Sequence, residues 1–344
     1  MAMKTLIRLL PVLLLTGALA QITTNAPLDW TRANELIKRR LQGETLTTEE
    51  RAYLTRAVIE REQQNKPAAA APVRTGKPLT QFGAGEKYKG EEGGLYGAGK
   101  NTPPAELFVA AKTAAGKIQP LDATGQPASN GRIGLLAIGM SNTTMEFSRF
   151  MAIANADPDK SPAVGLVDGA QGGRDAHAWV ENEEPWSKLD ERLSAAGITP
   201  AQVQVVWIKQ ALASPTRYGA FPAHARKLQT ALELTINRLK ARYPNLQMVY
   251  LSSRIYAGYA STTLNPEPYA YEGAFAVRWV IQNQPPPGPV VLWGPYLWSD
   301  GAAWRRDDFR DDGTHPSKTG CEKVAQQLLA FFKTDELTRL WFTK

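Results

Sequence analysis

From residue 131 onward, apolar positions gather into short, nearly continuous runs separated by longer stretches with helical spacing. The runs cover 133–138, 163–167, 203–208, 248–251 and 290–293, and they lack the polar alternation of a strand with one wet face. That pattern predicts strands buried on both sides. Between and after them, residues 145–156, 176–195, 223–243, 269–282 and 317–332 carry helical periodicity. In the last of these, Val324, Leu328 and Phe332 recur at four-residue intervals, one apolar stripe facing a core. Strand–helix alternation five times over predicts an α/β domain whose five-stranded parallel sheet is covered on both faces. Such sheets collect their functional groups at the C-terminal ends of the strands.

The first third of the chain reads differently. Residues 21–65 are expected to hold a charged helical hairpin, with Thr31 capping its first helix, Gly43 ending it, and Thr47 with Glu50 forming a capping box for the second. The alanine- and proline-rich stretch 66–82 reads as a semi-rigid linker, and the glycine-rich segment 83–130 as an extension packing on the core. Within it, residues 94–100 match the spacing of a phosphate-binding loop, but Asn101 stands where Ser or Thr would hold magnesium. A phosphate loop also follows a buried strand and opens a helix; here glycine-rich sequence precedes and Pro103-Pro104 follows, so the expectation is a plain loop.

Residues 1–20 have the order of an export signal: Lys4 and Arg8, then an apolar stretch, then Ala18-Leu19-Ala20 as a cleavage site. The apolar stretch is short for a membrane span and contains Pro11. The expected location is periplasmic or extracellular. Loss of that leader lowers the formal charge from +7 to +5. Acidic and basic residues are interspersed, which gives no stripe for nucleic acid. Cys321 is the only cysteine, so no internal disulfide can form, and it is expected to be a small buried hydrophobe. No metal-ligand spacing occurs, and no cofactor is expected.

The chemistry-bearing residues follow the strand runs. Gly139-Met140-Ser141-Asn142 comes after the first, Asp168-Gly169-Ala170-Gln171-Gly172-Gly173 after the second, Lys209-Gln210 after the third, and Asp312-Gly313-Thr314-His315-Pro316 beyond the fifth. An acid three residues before one of only three histidines can fold back onto one ring nitrogen and leave the other free as a general base. Pro316 holds His315 out of the helical region and can itself open the final helix. A serine, a glycine turn with free N–H groups, an amide and an oriented histidine are the parts acyl transfer requires. Ser141 alone could equally cap the helix that starts near Thr143.

These blocks resemble those of the SGNH (GDSL-type) hydrolases over about residues 131–335. Gly139-Met140-Ser141-Asn142 is similar to the first block, normally Gly-Asp-Ser, and to the Gly-Gln-Ser-Asn of carbohydrate-esterase branches; Asp168 to Gly173 is similar to the second. Asp312 to Pro316 matches the last, Asp-x-x-His-Pro. The third block, Gly-x-Asn-Asp, is missing, and Gln210 is the nearest amide. The resemblance implies a flavodoxin-like three-layer sandwich and a serine esterase acting on an acylated carbohydrate. Ser141 would be the nucleophile, His315 the base and Asp312 its orienting acid. The Ser141 and Gly173 N–H groups and the Gln210 amide would form the oxyanion hole. Asn142, Arg254 and Trp298 are the expected substrate-binding residues. Asp168 and Asp175 are expected to orient loops, and His177 and His224 to be structural. Trp293 is expected in the core, while Tyr296, Trp298 and Trp304 are open between core and sugar platform. A carbohydrate-binding protein of the same fold with decayed machinery is the alternative, favoured by Met140 and the missing block. Oligomeric state is not legible.

Overall fold

The 203–208 run is fully buried on both sides, Gln204 included, because it forms the middle strand of a sheet covered on each face. The computed structural model describes residues 28–41, 44–64, 75–284, 288–299 and 303–344. The expected leader and residue 43 lie outside them. The chain divides into two units, Met1–Pro67 and Ala68–Lys344.

In the first unit, helices α1 (Trp30–Leu41) and α2 (Thr48–Gln64) close over Leu36, Leu46 and Leu54. The Thr47 and Glu50 box forms, with the Thr47 N–H donating to Glu50 at 2.8 Å and the Glu50 N–H to the Thr47 hydroxyl at 3.2 Å. Thr31 does not cap α1. Asp29 does, accepting the N–H groups of Thr31 and Arg32, since a carboxylate one residue before the helix meets two unpaired donors.

In the second unit, a short hairpin of β1 (Lys87–Tyr88) and β2 (Glu91–Glu92) and helix α3 (Ala105–Ala115) precede the sheet. The expected linker gives way earlier than residue 82. Leu79 and Phe82 enter the same core as the sheet, the Leu79 N–H donates to the Tyr296 hydroxyl, and Thr75 donates to Glu267. Residues 94–100 turn their N–H groups inward, Leu95 to Asn101, Ala98 to Glu92 and Gly99 to the Gly93 carbonyl. They make no phosphate cradle.

The sheet then runs β3 (Ile133–Gly139), α4 (Ser141–Ala156), β4 (Val164–Asp168), α5 (Ala176–Glu181), α6 (Glu184–Ala195), β5 (Val203–Lys209), α7 (Ala223–Arg242), β6 (Met248–Ser252), α8 (Tyr269–Gln282), β7 (Val290–Trp293), α9 (Lys318–Thr334) and α10 (Arg339–Phe342). All five strands pair in parallel in the order β4-β3-β5-β6-β7, which is the flavodoxin-like order. The expected helix over 176–195 is two helices, broken before Pro185, which is ideally suited to a first turn. The chain steps outward from β3 to β4 and then back across β3 to β5. Right-handed crossovers therefore place the two connections on opposite faces. α4 packs with α9, and α7 with α5 and α8. The reversal opens a crevice at the C-terminal end of β3, where Ser141 begins α4. Among the described residues no helix is long and apolar enough to cross a membrane.

Candidate active site

Gly139 ends β3 where a side chain cannot fit: a Cβ would meet the Thr143 side chain at 2.3 Å and the Lys209 carbonyl at 2.5 Å. This close approach lets the chain turn directly into α4. Met140 takes the cap position and Ser141 is the first helical residue. Ser141 therefore does not cap the helix. Its hydroxyl lies 2.7 Å from His315 Nε2, although the two residues are far apart in sequence.

The histidine is held by its own loop. His315 Nδ1 is 2.5 Å from Asp312 Oδ2, and Asp312 Oδ1 accepts the N–H groups of Thr314 and His315, each at 2.9 Å. An ionised carboxylate only accepts, so Nδ1 carries the proton and Nε2 offers its lone pair to Ser141. Burial alone would raise the Asp312 carboxyl. The hydrogen bonds from the His315 ring and the two backbone groups outweigh it and hold Asp312 well below the usual carboxylate range. Gly313 makes the turn at φ +62°, and a Cβ there would sit 1.7 Å from the Tyr259 carbonyl oxygen. Pro316 does not open the last helix. It bridges to Phe309, and Ser317 caps α9 by accepting the Gly320 N–H.

Ser141 and Gly173 line a cavity of about 80 Å³ together with Met140, Asn142, Arg254 and Asn265. Gly173 has φ +74°. Neither its N–H nor that of Ser141, unpaired as the first of a helix, is taken by another described protein group. Asn142 lines the cavity, but its Nδ2 donates to the Thr314 carbonyl at 2.9 Å. Asn142-Thr143-Thr144 has the spacing of a glycosylation sequon, but Asn142 is buried. Arg254 is buried and donates to the same carbonyl at 3.3 Å.

Two expected site residues are elsewhere. Gln210 is buried outside the cavity lining, its Nε2 donating to the Arg174 carbonyl at 3.3 Å and its Oε1 accepting the Ala211 N–H. The strand end turns its amide toward the Arg174 loop. Trp298 is 2% exposed, with its indole N–H on Glu267 and its ring against Tyr271. Trp304 is likewise buried, donating to the Leu297 carbonyl. These indoles are core and form no sugar platform. Trp293 is core too, donating to the Leu95 carbonyl.

Asp168 accepts from Thr144, Ser148 and the Ala170 N–H. Asp175 caps α5 and accepts the Ala213 N–H at 2.9 Å. His224 is buried against Glu272, and His177 meets the Tyr218 hydroxyl. Cys321 is buried on α9.

Sequence reasoning missed an ion pair beneath the site. Lys209, at the end of β5, and Glu146, on the second turn of α4, are both fully buried and bonded to each other. Burial pushes the lysine down and the glutamate up, while each partner's charge opposes the shift in the other. Arg254 adds a third charge, disfavoured by burial and supported by Glu146, Glu267 and Asp312. A lysine closing an apolar strand run was the available signal.

No family model matches this chain, and no curated protein matches it. Several solved structures do, in part. The lipase Lip_vut3 from a goat rumen metagenome is 16% identical with a TM-score of 0.41, over 60% of this chain and 99% of its own. LAE5, an α/β hydrolase enzyme from the metagenome of Lake Arreo, is 15% identical with a TM-score of 0.38, over 61% and 97%. A carbohydrate esterase structure is 14% identical with a TM-score of 0.36, over 62% and 68%.

A larger cleft of about 600 Å³, lined by Asp190, Leu193, Ile198, Arg242 and Tyr243, lies before β5 and β6, at the N-terminal ends of the strands. Ser194 and Thr199 line it too, but no histidine does.

Proposed function

We propose that this chain is an exported serine ester hydrolase of the SGNH type, removing short acyl groups, acetyl foremost, from a carbohydrate. The observation that carries it is the Ser141–His315–Asp312 relay, 2.7 Å and 2.5 Å between its members, opening on a cavity. Ser141 Oγ attacks the ester carbonyl carbon as its proton passes to His315 Nε2. The carbonyl electron pair moves to oxygen, where the Ser141 and Gly173 N–H groups receive it. His315 then returns the proton to the leaving alcohol, and water repeats the sequence on the acyl-serine. Asp312 keeps the ring oriented and stabilises its charged form.

The acyl preference rests on size, since about 80 Å³ is small beside the roughly 300–1,000 Å³ of pockets for larger ligands. The carbohydrate rests on the likeness of Gly139-Met140-Ser141-Asn142 to Gly-Gln-Ser-Asn alone. Export rests on residues 1–20. The unbroken relay favours hydrolysis over a decayed binding protein. Release of acetate from p-nitrophenyl acetate and acetylated xylan is the test. It should vanish in Ser141→Ala and fall from acetate to octanoate esters. Equal turnover by wild type and Ser141→Ala would remove the nucleophile and the reading with it.

A further inference from the structure

With Gln210 turned away, the cavity holds another side-chain amide that sequence reasoning passed over. Asn265 lies in the loop between β6 and α8, far in sequence from Ser141 and Gly173, yet lines the same cavity. It is 4% exposed. Its Nδ2 donates to the Leu212 carbonyl at 3.2 Å, whereas its Oδ1 has no hydrogen-bond partner. The bond to Leu212 fixes the amide, because the flipped form would set two acceptors against each other. One Nδ2 hydrogen thus remains unengaged in a residue that lines the cavity. Oδ1 is buried and can only accept, so what the amide offers a carbonyl oxygen in the cavity is its second Nδ2 hydrogen.

The surrounding chain is built to hold this amide still. The Ser214 N–H donates to the Leu264 carbonyl at 2.8 Å, tying the loop of Asn265 to the segment after β5. That segment is tied in turn to the Gly173 side, since the Ala213 N–H donates to Asp175. Leu212 and Ala213 line the same cavity as Asn265 and Gly173. Fixed donors aimed at developing charge are the largest single source of acyl-transfer catalysis.

We propose that Asn265 is the third oxyanion donor, its free Nδ2 hydrogen meeting the carbonyl oxygen as the Ser141 attack places negative charge there. This rests on the esterase reading. The amide transfers no proton; it donates a hydrogen bond that strengthens in the transition state.

The test compares wild type, Asn265→Ala and Asn265→Asp on p-nitrophenyl acetate. Active sites are counted by stoichiometric labelling of Ser141 with a fluorophosphonate, so that any misfolded fraction is removed from the rate. Per labelled site, kcat should fall roughly 10²–10³-fold in Asn265→Ala, with KM within about threefold. Asn265→Asp, which cannot donate when ionised, should fall at least as far. Affinity for a small alkylboronate, which forms a tetrahedral adduct on serine, should weaken in step with kcat/KM. A structural role would instead raise KM or reduce the labelled fraction. An active wild type with Asn265→Ala at unchanged kcat per labelled site overturns this assignment alone. A wild type that neither turns over nor labels overturns the esterase reading and this assignment together.

Discussion

Asn142 and Thr314 stand 172 residues apart and are joined by one buried hydrogen bond, Asn142 Nδ2 to the Thr314 carbonyl at 2.9 Å. Asn142 follows the nucleophile and Thr314 precedes the base. The bond therefore sets the distance across which a proton must pass. Arg254 reaches the same carbonyl at 3.3 Å, a longer bond. Asn142→Ala should lose about 1 kcal/mol of positioning, or roughly fivefold in kcat. Asn142→Asp should lose more, because a carboxylate would face a carbonyl oxygen. Steady-state kinetics with KM held apart from kcat checks this, and a change confined to KM would assign Asn142 to substrate binding instead.

Gly313 admits no side chain. Its φ of +62° disfavours other residues by about 1–2 kcal/mol, and a Cβ would fall 1.7 Å from the Tyr259 carbonyl oxygen. Gly313→Ala must push the loop away from residues 259–261, where the Ser261 N–H already holds the Asp312 carbonyl at 2.9 Å. The expected result is a lower Tm together with at least a hundredfold drop in kcat, since His315 moves with the loop. Thermal unfolding and turnover measured on the same sample give the answer. Full activity in a stable Gly313→Ala protein would show that the base loop is less constrained than this contact requires.

The strands were legible because each is an apolar run flanked by helical spacing, and burial on both faces leaves little else such a run can be. The Asp312–His315 turn was legible because both partners are local, three residues apart, with Pro316 following. Gln210 and Trp298 were misplaced for a shared reason. Sequence order locates a residue at a strand end or in a loop, but the direction of its side chain is set by neighbours such as Arg174 and Glu267 that lie far along the chain. Asn265 was invisible on the same ground, in a run of Ser, Thr, Asn and Pro that reads only as a turn. The Lys209–Glu146 pair needed two elements brought into register before its burial could be known.

That pair sets a stability prediction. Lys209 and Glu146 are both 0% exposed, so removing one leaves the other buried without its bonded partner, Glu146 then keeping the more distant charge of Arg254. Lys209→Met should destabilise the protein by about 3–5 kcal/mol, and Glu146→Leu should do much the same. The double variant should recover part of the loss, because two apolar groups no longer need each other's charge, while Arg254 still loses the support of Glu146. Urea midpoints for the four proteins form the cycle. Additive losses would mean that the two charges are satisfied independently, against the single contact seen here.

Asp312 gives the pH dependence its sign. Its folded pKa lies below the ordinary aspartate value, which is about 3.9 in unfolded chains. The stabilisation from its ionised form is therefore complete above that value and is lost as pH falls through the lower folded one. In Asp312→Asn the contribution is absent at every pH. The stability gap between wild type and variant should narrow as pH falls below about 4. Activity should behave differently over the same range. Asparagine cannot accept from Nδ1–H through its NH2, so the ring adopts the wrong tautomer, and kcat should fall roughly 10³–10⁴-fold at every pH where the proteins are folded. Urea unfolding from pH 3 to 7, with turnover above pH 5, separates the two effects. A gap that does not narrow below about pH 4 would mean that Asp312 is not ionised when bonded to His315, and a variant with near-normal kcat would mean that it does not orient the base.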